Sequence, residues 1–103
     1  MTDRIPHPHW CDRSRCGASP RRPDGTHCSR LIVLGPYPPS PIVVEVSLAQ
    51  PPATSGYPAS GRPFVALAMG EVATDELPLT PLPIELAVAL ARVLLDFVRD
   101  VRE

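Results

Sequence analysis

A small α+β domain is what this sequence predicts: a three-stranded antiparallel sheet, one long C-terminal helix across a face of it, and an irregular N-terminal Cys/His segment. Three observations carry the prediction. Strand-like apolar runs at 31–34, 42–49 and 64–72 follow one another with no helical crossover between them. A long 3.6-period amphipathic pattern closes the chain. All three cysteines and all three histidines lie between His7 and Cys28.

The N-terminal 30 residues hold almost no aliphatic side chains. Ile5 and Trp10 are the only large apolar ones, and Gly17, Ser19, Pro20, Pro23, Asp24 and Gly25 mark turns. Such a segment cannot build a core of its own, so it is either a disordered tail or a loop ordered by something else, such as a metal. The chain therefore divides into 1–30, a Cys/His-rich metal-binding segment, and 31–103, a β-meander with its helix, in one compact domain.

"LIVL" at 31–34 reads as a short strand stopped by "GPYPPSP". "IVVEVSLA" at 42–49 is the best strand signal. Ile42, Val44, Val46 and Leu48 lie on one face, and Val43, Glu45, Ser47 and Ala49 on the other. "FVALAMGEV" at 64–72 places Val65, Leu67 and Met69 on one face and small residues opposite. The Pro/Gly/Ser-rich "QPPATSGYPASGRP" links these two strands as a long mobile loop. Thr80 reads as the N-cap of the helix and Pro81 as its first residue. From there to about residue 101, Glu85, Ala89, Arg92, Asp96 and Arg99 form one polar stripe, with Arg92 and Asp96 able to pair. The remaining arc is apolar and too wide for one small sheet to cover. Val88 and Leu95, beside the stripe, should stay at least partly exposed and offer an edge for a protein partner or a second copy.

Cysteine thiolates and imidazoles clustered in this way point to zinc, which takes four such ligands in a tetrahedron. The preferred set is His7, Cys11, Cys16 and His27, with Cys28 as the alternate for His27 and His9 as the alternate for His7. Adjacent His27 and Cys28 side chains diverge, so only one of them ligates. A catalytic zinc needs an open position and a general base, and Glu45 is the first glutamate in the chain. A Cys–His nucleophilic pair such as Cys28 with His9 lacks an orienting acid, and the chain is read as non-enzymatic, a metal-dependent hydrolase being the weakest alternative. Trp10 reads as an apolar plug between the metal loop and the sheet.

Charge divides along the chain. Residues 1–30 carry six arginines and three aspartates, whereas residues 31–103 carry four arginines and eight acids. Arg13, Arg15, Arg21 and Arg22 make a basic flank that could touch phosphates, so a nucleic-acid-binding module is the alternative function. The absence of interleaved aromatics and of a recognition helix makes such binding weak at most. No secretory signal or membrane span is visible, which predicts a cytoplasmic chain whose odd cysteine count suits ligands better than disulfides.

"HPHWC", with His7, Pro8, Trp10 and Cys11, resembles the C-P-x-W-C opening of a family of small uncharacterised actinobacterial proteins. In that family a short Cys/His segment leads into β-strands and a helix beginning L-T-P-x-E-A. Leu79, Thr80 and Pro81 match that start, and "VSLAQP" and "PFVALAM" sit in the matching order. His7 replaces the first cysteine, which keeps a ligand there, and "LPIEL" replaces the acidic helix start. The resemblance spans most of the chain and implies this fold and a metal segment. It implies no reaction.

Overall fold

The computed structural model describes residues 7–18, 25–52, 61–72 and 76–102. The class is α+β as expected: an antiparallel sheet and one C-terminal helix. The sheet has five strands rather than three: β1 (His27–Cys28), β2 (Ile32–Leu34), β3 (Ile42–Gln50), β4 (Phe64–Glu71) and β5 (Leu79–Pro83), followed by α1 (Ile84–Arg102). β3 pairs with β4, and β4 with β5. β1 and β2 both pair with β3, opposite its two ends.

These two short strands are one interrupted edge. His27 and Cys28 face Gln50 and Ala49, and the Ser29 N–H continues the ladder by donating to the Leu48 carbonyl at 2.8 Å. From Ile32 the register is shifted by one residue, with Ile32 opposite Val46. Arg30 and Leu31 together stand against Ser47, which is a β-bulge. The bulge hides β1 from the sequence pattern, because it breaks the alternation between "HCS" and "IVL".

β5 corrects the expected helix start. Thr80 is not an N-cap and Pro81 is not the first helical residue; both lie in a strand. The physical reason is the repeat of prolines at 81 and 83. A residue before proline is pushed out of the helical region toward extended backbone, so Thr80 and Leu82 are both held extended. The helix can begin only beyond Leu82, and Pro83 is still paired with Phe64, so Ile84 is its first residue. Proline also offers no N–H, so β5 suits the edge it occupies.

Paired residues share a face of the sheet. Val33, Val43, Ala49, Phe64, Ala66 and Ala68 lie on one, the alanine face, and all but Val33 are buried, with Ala49, Phe64 and Ala66 in mutual contact. At its end Leu77 lies over Gly70, where an added Cβ would come within 2.5 Å of the leucine Cδ2. The other, the valine face, carries Ile32, Leu34, Val44, Val46, Leu48, Val65, Leu67, Met69 and Leu82. None of them is buried.

The helix is not laid across either face. None of its residues is buried, and its neighbours are β5, from which it emerges, and β4. No residue separates Pro83 in the strand from Ile84 in the helix. A turn of two or more residues is the usual means of folding a helix back over a sheet, and here there is none. Val88 and Leu95 are exposed as expected, at 45% and 63%, but so are Leu86, Leu90, Leu94 and Phe97. On the polar stripe Asp96 approaches Arg99 at 3.9 Å rather than Arg92. Residues 53–60 of the β3–β4 connection lie outside the described residues, and so does most of the expected mobile loop.

Candidate metal centre

Two backbone turns and one strand bring four side chains together. The Cys11 N–H donates to the Pro8 carbonyl at 3.0 Å, which closes a turn with His9 and Trp10 at its tip. This sets His7 and Cys11 at its base. A second turn follows: Asp12 accepts from the Ser14 N–H at 3.0 Å and from its hydroxyl at 2.7 Å, and its carbonyl accepts from the Arg15 N–H. Those bonds hold the Asp12 carboxyl below its ordinary pKa and deliver Cys16 back toward Cys11.

β1 supplies the fourth side chain. The Gly17 N–H donates to Thr26 and the Asp12 N–H to Cys28, both at 2.8 Å, so the knuckle is tied along the strand. Gly25 permits the close approach: a Cβ there would collide with the Gly17 carbonyl and stand 2.7 Å from the Ala18 nitrogen. Cys11 forms a bridge with Ser29, and the Arg15 guanidinium donates to the Ser29 carbonyl at 2.7 Å. The buried Ser29 hydroxyl in turn accepts from the Leu48 N–H at 2.7 Å and donates to the Arg30 carbonyl. Ser29 thus joins the knuckle to β3. Sequence reasoning missed both Ser29 and this role of Arg15; the signal was the run "HCSRLIVL" read as one edge strand rather than from residue 31.

His7, Cys11, Cys16 and His27 offer ligand atoms that all lie within 4.8 Å of one another. Cys11 Sγ stands 3.4 Å from His7 Nδ1 and 3.8 Å from His27 Nδ1. Cys16 Sγ stands 3.7 Å and 3.4 Å from the same two nitrogens. The imidazole rings are edge-on to one another, 5.0 Å between centroids. Metal–sulfur and metal–nitrogen bonds of zinc length at a tetrahedral angle would separate sulfur and nitrogen by about 3.6 Å. The four observed distances bracket that value, so the group fits a tetrahedral ion.

Electrostatics suit the same role. Burial, then the proximity of His7, lowers the His27 pKa, which keeps its imidazole neutral and able to donate a lone pair. Burial and the adjacent Cys16 raise the Cys11 thiol, the expected state of two crowded thiols without a cation between them. The Ala18 N–H points at Cys16 Sγ at 3.3 Å, a donor that favours a thiolate.

The alternates fall outside the group. Successive strand residues point to opposite faces, so while His27 joins the cluster, Cys28 turns toward Ala49 and the alanine face. Burial raises the Cys28 thiol despite Arg15 nearby, which suits an unreactive side chain. His9 sits exposed at the turn tip. Trp10 is half-buried and, with Ile32, Val46, Leu48 and Val65, lines an open trough on the valine face. The trough beside it stays open, so Trp10 does not fill the space between the knuckle and the sheet as a plug would. Arg13 is exposed at its rim, and Arg21 and Arg22 lie outside the described residues.

Comparison of the chain with protein-family models, with curated proteins and with solved structures finds no match. Among the described residues no helix is long and apolar enough to cross a membrane.

Proposed function

We propose that this protein is a small non-enzymatic zinc-binding module that works by binding another protein chain. The observation that carries the reading is the His7–Cys11–Cys16–His27 tetrahedron of near-equal sulfur–nitrogen distances. Two thiolates and two neutral imidazoles select a borderline-soft ion such as zinc over magnesium or calcium. Four protein ligands close the coordination shell, the mark of a structural rather than a catalytic site. Bound zinc would supply order to residues 7–28, which lack a core, and through Ser29 would hold Trp10 against the sheet. The exposed apolar helix, with Val88 and Leu95 among its outward residues, supports the interaction role.

Elemental analysis of the untagged full-length protein tests the metal reading. One zinc per chain is expected. A metal-free preparation whose residues 7–28 are nevertheless ordered by nuclear magnetic resonance would overturn it. The basic-segment alternative is less supported, because Arg15 is already engaged with the Ser29 carbonyl. Tight, sequence-dependent retention of DNA or RNA at physiological salt would revive it.

A further inference from the structure

The two largest apolar surfaces of this chain do not meet. One is α1, whose arc from Val93 through Leu90, Leu94 and Val98 to Val88 is apolar as far as Val101, with Arg102 entering it only in the last turn. The other is the valine face of the sheet, where Met69 is 53% exposed and Ile32, Leu34 and Ile42 are exposed beside it. We propose that the valine face is the docking site for α1 of a second copy of this chain, and that the two copies dock reciprocally. This rests on the interaction-module reading above and names its partner.

Three observations choose a second copy with this geometry. First, β5 runs into α1 without a turn, so a chain in this conformation cannot lay its helix on its own sheet. A second chain faces no such restriction, and a two-fold axis makes the exchange mutual. Second, the area matches. The chain exposes 8021 Å², about 2,300 Å² more than the roughly 5,700 Å² of a compact protein of its mass. A standard interface takes about 800 Å² from each partner, and obligate dimers take more. The radius of gyration agrees: 16.4 Å against about 13 Å for a compact chain of this length. Third, the arc is too wide for a helix pair. Its apolar residues form two adjacent seams, Ala87–Leu90–Leu94–Phe97 and Val88–Ala91–Leu95–Val98. A two-stranded coiled coil would use one seam and leave the valine face bare. A helix on a sheet covers the valine face and the larger part of the arc in one contact, and α1, about 28 Å long, reaches across all the strands.

The valine face also excludes other modes. Its centre, Val44, Val46, Leu48, Val65 and Leu67, carries no charge, so a charged peptide finds partners only at the rim, where Asp12, Arg13 and Arg30 border the trough and Glu71 pairs with Ile42. Strand addition at β5 is opposed by Pro81 and Pro83, which have no N–H to offer.

Light scattering on the zinc-loaded full-length chain, coupled to size exclusion over a concentration series, tests the proposal. A mass twice 11.1 kDa is expected. Leu94→Glu on the helix and Met69→Lys on the sheet alter exposed positions, and retained zinc together with the dispersed amide resonances of the sheet verifies that each variant is folded. Each should be monomeric where the native chain is dimeric. Mixed in equal amounts they should form a dimer again, because one intact helix then meets one intact valine face. A dimer lost in Leu94→Glu but unchanged in Met69→Lys would overturn the proposal in favour of a helix pair. A native chain that stays monomeric also overturns it, and hydrogen exchange then separates two cases. Fast exchange along α1 leaves a bare helix and a module that needs some other protein. Protected α1 amides in a monomer mean that the chain covers its own helix, and the interaction reading fails with the proposal.

Discussion

His27 and Cys28 differ as ligands for a reason that lies in one strand. β1 alternates its side chains, so only His27 can face Cys11 and Cys16. Cys11→Ser or Cys16→Ser should therefore abolish stoichiometric zinc binding and loosen residues 7–28, whereas Cys28→Ser should retain the metal; elemental analysis of the three variants decides this. Gly25→Ala should weaken zinc retention although residue 25 is no ligand. Its Cβ meets backbone at Gly17 and Ala18, and relieving such a clash costs about 1–3 kcal/mol. Competition with a chromophoric chelator would show the weaker affinity. Acid should also release the metal, since zinc must displace the proton of the raised Cys11 thiol. In the metal-free chain the signs differ by group. The lowered His27 contributes stability above its ordinary value of 6.5 that is lost as pH falls through its folded value. The raised Cys11 contributes stability below 9.0 that is lost as pH rises through its own. A pH titration of zinc content, with melting curves of the metal-free chain beside it, checks both.

At the scale of elements, the alternation in β3 and β4 and the polar stripe of α1 were legible because each is long and regular. β1 was not, being two residues long and separated from β2 by the Arg30–Leu31 bulge. β5 was read as helix because "LTPLP" carries an N-cap residue and a proline, the usual marks of a helix start. The second proline decides otherwise, as it holds Leu82 extended and postpones the helix to Ile84. Thr80→Ala should accordingly change stability by less than about 0.5 kcal/mol, as for an exposed edge position. A lost N-cap would cost about 1 kcal/mol. Denaturant unfolding of the two proteins distinguishes these values.

For the whole molecule, the knuckle and the sheet are separate sources of order joined at Ser29. The sheet's buried residues, Val43, Ala49, Phe64, Ala66 and Ala68, owe nothing to the metal. Removing zinc with a strong chelator should speed tryptic cleavage after Arg13 and Arg15 while Arg92, in α1, keeps its rate of cleavage. Time courses followed by mass spectrometry would show this, and simultaneous loss of the whole chain would show instead that metal and sheet fold as one unit. A single apolar side chain of the helix is worth about 1.5–3 kcal/mol when buried. Helices in proteins owe most of their stability to packing of an apolar face rather than to propensity. Association should therefore add helicity as well as mass.

Composition and spacing alone marked a Cys/His segment able to hold a metal, put His7, Cys11, Cys16 and His27 first among its six candidates, and set out three strands and an amphipathic helix. Those features are local: ligand chemistry, period-2 alternation and 3.6-residue periodicity are all written over short stretches of chain. Which of His27 and Cys28 turns inward, how the knuckle is anchored through Ser29, and where the helix goes are decided by tertiary structure. They depend on a strand pairing twenty residues away and on a strand that enters the helix without a turn. A wide apolar arc announces that something must cover α1; only the fold shows that its own sheet does not.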